Sequence, residues 1–80
     1  MKTSWSLPIT IENAETGLRR TVRTVRQARS ALHRNWPDSS GSRFRHAEEA
    51  CEDALHGDRA PGDCRKAFIE AAIEAHLHLS

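Results

Sequence analysis

Eighty residues make one domain, and a chain this short buries only about 60–65% of its unfolded surface, so its core is thin. A hydrophobic content of 38%, periodically arranged, excludes disorder, and no apolar run approaches the roughly 20 residues that cross a bilayer. A formal net charge of +1 gives no overall pull toward a polyanion or a membrane surface.

Residues 1–6 read as a loose polar lead-in with no apolar signal segment. Residues 7–23 read as an antiparallel β-hairpin. Leu7, Ile9 and Ile11 alternate with Thr10 and Glu12, which predicts one buried face. Pro8 cannot donate a ladder hydrogen bond and belongs at an edge or a strand start. Asn13 to Gly17 is a turn, with Gly17 free to take positive φ. On the return strand Leu18 and Val22 face the core, with Arg20 awkwardly on the same side.

The spacing predicts three helices, over residues 24–36, 42–56 and 61–78. Thr24 and Gln27 fit a capping box, and Val25, Ala28, Leu32 and Trp36 follow at helical steps until Pro37. Ser42 is a candidate N-cap for a helix whose inner stripe is Phe44, Ala47, Cys51, Ala54 and Leu55, stopped by Gly57. Pro61 and Asp63 suit the first turn of the third helix. That helix is apolar on two sides. Cys64, Ala67, Phe68, Ala71, Ala72, Ala75 and Leu79 make one stripe, while Ile69, Ile73 and Leu77 make a second ridge nearly opposite. Lys66, Glu70 and Glu74 form a narrow wet strip. The fold class is therefore α+β: an N-terminal antiparallel β-hairpin followed by three α-helices in a single small domain, residues 1–80.

This pattern resembles the bacterial "domain of unknown function 982" family. The resemblance rests on Trp36-Pro37, Gly41, Phe44, Ala47, Cys51, Ala54-Leu55, Gly57, Arg65, Ala67-Phe68, Ala71-Ala72 and Ala75, with Pro8, Gly17, Ala28 and Leu32 earlier. It implies a small bacterial, cytosolic, single-domain protein. It brings no activity, cofactor or catalytic residue. The family more often carries Ala at the position of Cys64, which implies no required thiol there.

The chemistry-bearing residues point away from catalysis. His76 and His78 lie about 200° apart on a helix and cannot share an ion there. Cys51 and Cys64 fall on inward stripes and read as small core residues. Two cysteines are no disulfide framework, so both thiols are expected reduced, in a cytoplasmic protein. No catalytic residue, metal ligand or cofactor site is expected.

Charge is unevenly placed. Residues 17–46 carry eight arginines against Asp38, and residues 47–80 carry eight acids against Arg59, Arg65 and Lys66. Mutual compensation between the two halves is the simplest reading. A nucleic-acid surface would use Arg19, Arg23 and Arg26 on the hairpin and first helix. Helix-turn-helix docking fails on sign, because the second helix carries Glu48, Glu49, Glu52 and Asp53. The favoured function is a non-enzymatic interaction or regulatory module. It would bind a protein partner or itself as a homodimer through Ile69, Ile73 and Leu77.

Overall fold

The computed structural model describes residues 4–34 and 36–80. Met1 to Thr3, half of the expected lead-in, lie outside the described residues, as does Asn35. Strand β1 (Ser4–Glu12) and strand β2 (Arg19–Thr24) form the antiparallel hairpin. Helices α1 (Val25–His33), α2 (Ser42–Leu55) and α3 (Pro61–Glu74) follow, and a two-residue strand β3 (His78–Leu79) closes the chain. The sheet order is β2-β1-β3, all antiparallel. The expected α+β fold is present, with one strand more than the hairpin.

Alternation works where the ladder is regular. Ile9 pairs with Val22, and Ile9, Ile11 and Val22 are all buried. It fails at both ends. Between Ser4 and Ile9 the register is irregular, which leaves Leu7 66% exposed and brings Trp5 into the core. Trp5 is thus a strand residue rather than part of a loose lead-in. Leu18 precedes β2 and is 57% exposed instead of facing inward. Pro8 lies beyond the reach of β3, on the open flank of β1, where its missing N–H discourages a further strand. Gly17 takes φ 75° as the turn requires, and its N–H donates to the Asn13 carbonyl at 2.7 Å.

Thr24 caps α1, accepting from the Gln27 N–H at 3.1 Å. Gln27 reaches one residue further back than a capping box requires, accepting from the Arg23 N–H at 2.7 Å. Helix α1 ends at His33, not at residue 36, because Arg34 is already extended. Leaving the helix early lets Trp36 reach Phe44 and Phe68, with ring centroids 6.1 and 5.5 Å apart. Tertiary packing overrides the helical spacing there.

Ser42 does not cap α2. Gly41 holds that position, and the Glu74 carboxylate of α3 accepts from the backbone N–H groups of Arg43 and Phe44, each at 3.2 Å. A carboxylate at a helix N-terminus satisfies orphan donors and meets the positive end of the dipole. A Cβ on Gly41 would overlap that carboxylate, so only glycine fits without displacing the cap. Glu70 is engaged as well, accepting from Arg43. Of the strip expected to be wet, Lys66 is exposed, while Glu70 and Glu74 hold α3 to α2.

Helices α2 and α3 meet through Ala47, Ala50, Cys51 and Ala54 on one side and Cys64, Ala67, Phe68 and Ala71 on the other, all buried. Small residues let the two backbones approach closely. Cys51 and Cys64 come within 4.7 Å between Cα atoms and form a disulfide. The expectation of two reduced thiols is overturned. Each inward stripe was readable by itself. That the stripes cross at their cysteines depends on how the helices dock.

Both α2 and α3 end in the same motif. After α2, Gly57 takes φ 83°, its N–H donates to Ala54, and the Asp58 N–H donates to Asp53. After α3, His76 takes φ 60°, its N–H donates to Ile73, and the Leu77 N–H donates to Ala72. This double-bonded Schellman turn stops α3 at Glu74, four residues before the expected end at residue 78. It sends the chain back along β1, where Thr10 and Ser80 exchange two hydrogen bonds of 3.0 Å. Leu79 accordingly belongs to the sheet and not to the inner stripe of α3. His76 adopts a left-handed conformation that costs a residue with a Cβ about 1 kcal/mol. His76→Gly is expected to raise the melting temperature by roughly 4–8 °C, read by circular dichroism.

Candidate functional site

The two halves of the charge distribution do meet. Arg29 pairs with Glu52 at 2.6 Å, Arg43 with Glu70 at 3.3 Å, and His33 with Glu48 at 3.3 Å. These pairs are partly exposed, so each contributes at most about 1 kcal/mol. Arg19, Arg23 and Arg26 are exposed and form no ion pair among the described residues. Arg19 and Arg23 share the outer sheet face with Thr21, whose hydroxyl bonds that of Thr10 at 3.0 Å. Glu12 stands opposite Arg19 in the ladder and dilutes the basic character of that face.

The ridge on α3 divides. Ile69 and Leu77 are half-buried against the core, while Ile73 between them is 61% exposed. Arg65 precedes Ile69 by one turn, and its Nε donates to the Leu7 carbonyl at 3.0 Å. Arg65 therefore ties α3 to β1, a structural role the sequence left open. The same bond holds the exposed Leu7 near the start of α3.

A second feature was not anticipated. A half-open cleft of about 170 Å³ lies where the hairpin, the carboxyl end of α1 and the segment after α3 converge. Its apolar walls include Ile11, Leu18, Ala31, Trp36 and Leu77, and its polar ones are Asn13, Arg19, Arg20 and Arg34. Arg20, on the inward side of β2, lies half-buried and donates to the Ser30 hydroxyl at 3.2 Å. No carboxylate pairs with it among the described residues. The Nε1 atoms of Trp36 and of Trp5, the latter outside this cleft, are buried without an acceptor among the described residues. Asp38, next to Pro37 on the rim, is turned toward Ser40. The Ser40 hydroxyl and then its backbone N–H hold the Asp38 carboxyl below the usual carboxylate range. Sequence spacing could not assemble these groups, because they come from three separate segments. The one signal was the inward parity of Arg20.

Another, more open hollow is bordered by Trp5, Leu7, Pro61 and Arg65, but the Arg65 guanidinium is already committed to Leu7. No group of three His, Cys, Asp or Glu among the described residues is placed to hold a metal ion. No described helix is long and apolar enough to cross a membrane.

Fold and surface together define a small α+β domain, a three-stranded antiparallel sheet backed by three helices and joined by one disulfide. The chain belongs to the family described as "Protein of unknown function (DUF982)", whose model matches residues 7–79. The match spans all the residues on which the resemblance rested. No curated protein and no solved structure matches the chain.

Proposed function

We propose that the protein is a non-enzymatic interaction module that pairs with a second copy of itself through the α3 ridge. The observation that supports this reading is the 61% exposure of Ile73 in the last turn of α3, between half-buried Ile69 and Leu77. Burying such a side chain contributes about 1.5–3 kcal/mol, and a two-fold pairing gains it twice. A net charge of +1 leaves little repulsion between copies. Ile73→Glu is expected to give a folded monomer with the circular dichroism of the parent, because Ile73 lies outside the core, and with a melting temperature no longer dependent on protein concentration. Sedimentation across a wide concentration range checks this. A parent protein that stays monomeric throughout rules the reading out.

Nucleic-acid contact through Arg19, Arg23 and Arg26 is the second reading, supported by three exposed guanidiniums without ion pairs among the described residues. The first is favoured, since Glu12 faces Arg19 and both tryptophans are packed against phenylalanines. Duplex affinity that falls steeply with salt, and is lost on joint Arg19→Glu and Arg23→Glu substitution, would reverse that order.

A further inference from the structure

The cleft beside α1 presents a charge imbalance that the fold itself does not resolve. Arg20 is half-buried, and its partner is the neutral Ser30 hydroxyl. A guanidinium removed from water without a carboxylate is costly, and an anion within reach relieves that cost. Arg34 comes from the chain just beyond α1 and lines the same cleft. The Trp36 ring supplies an apolar wall of the cleft. The carboxyl end of α1 brings about half a negative charge to the wall at Ala31, less than one guanidinium cancels.

Most of the remaining wall is apolar, with Leu18, Leu77 and the Trp36 ring. At about 170 Å³ the cleft is smaller than the roughly 300–1,000 Å³ of sites for drug-sized ligands, so its occupant is small.

We propose that this cleft binds a small organic carboxylate, its anionic group taken by Arg20 and Arg34 and its apolar body resting against Trp36 and Leu77. A guanidinium matches a carboxylate in two-point geometry. A carboxylate without an apolar body, or an apolar body without charge, satisfies only half of the cleft. The cleft shares Leu77 with the ridge but does not include the exposed Ile73, so loss of self-association in the Ile73→Glu variant and a failure of benzoate binding are distinguishable.

The test uses the intact chain labelled with nitrogen-15, and benzoate as the probe. The two indole N–H resonances are distinguished by a Trp36→Phe variant. Benzoate is expected to move the Trp36 indole signal saturably in about the millimolar range while leaving that of Trp5 in place. Benzyl alcohol and inorganic phosphate should bind at least about tenfold more weakly. Arg34 is exposed, so Arg34→Ala should keep the parent melting temperature and weaken benzoate by about tenfold. Three results would each overturn the proposal. They are an unmoved Trp36 signal up to about 20 mM benzoate, an equal response to benzyl alcohol, and undiminished binding by Arg34→Ala.

Discussion

Phe68→Ala is expected to remove about 3–5 kcal/mol of folding free energy, the largest loss from any single side chain in this protein. Phe68 is completely buried, and its ring lies 5.9 Å from that of Trp5 and 5.5 Å from that of Trp36. It therefore joins α3 to β1 and to the segment between α1 and α2. Truncation would leave a cavity bordered by two large rings that cannot collapse into it without leaving their own contacts. A chain of this length has only about 4–12 kcal/mol in total, so the variant should be largely unfolded or close to it. Phe68→Leu keeps most of the volume and should cost about 1 kcal/mol. Urea titrations of the three proteins by circular dichroism give the comparison. If Phe68→Ala shared the parent midpoint, the ring would not be the keystone described here.

Reducing the Cys51–Cys64 bridge should have the next largest effect. The bridge closes a loop across a sequence separation of 13, and its removal returns loop entropy to the unfolded chain. The chain-entropy estimate for a loop of this size is about 3 kcal/mol, or roughly 12–24 °C in melting temperature. Both sulfurs lie in the core between α2 and α3, so the thiols remain packed when reduced. The native fold should therefore persist at low temperature and melt earlier. Paired melts with and without reductant, beside a Cys51→Ala/Cys64→Ala variant, isolate the cross-link from the packing. Coincident melts of the oxidised and reduced protein would show that the bridge constrains nothing.

How far the candidate surfaces were readable follows from the same distinction between local and long-range effects. The alignment of Ile69 with Ile73 is local, because a four-residue step on a helix stacks side chains whatever lies nearby, but Leu77, expected to continue the ridge, lies beyond the end of α3. The division of the three into two covered residues and one exposed residue is set by β1 and the chain after α3. The carboxylate cleft had almost no local signature. Arg20, Arg34 and Trp36 lie on segments whose relative placement depends on the hairpin folding over α1.

The sequence by itself determined the α+β class, the hairpin turn at Gly17, the capping Thr24 and the inward stripes of α1, α2 and α3. These follow from backbone sterics and from periodicities of two and of 3.6 residues. Tertiary structure alone decided that α1 stops before Trp36, that Glu74 rather than Ser42 satisfies the start of α2, and that His76 turns the chain into a third strand. It also decided that Cys51 meets Cys64. In each case a contact from a distant segment outweighs a local preference worth less than about 1 kcal/mol per residue. Periodicity states which side of an element must be covered, and only docking states by what.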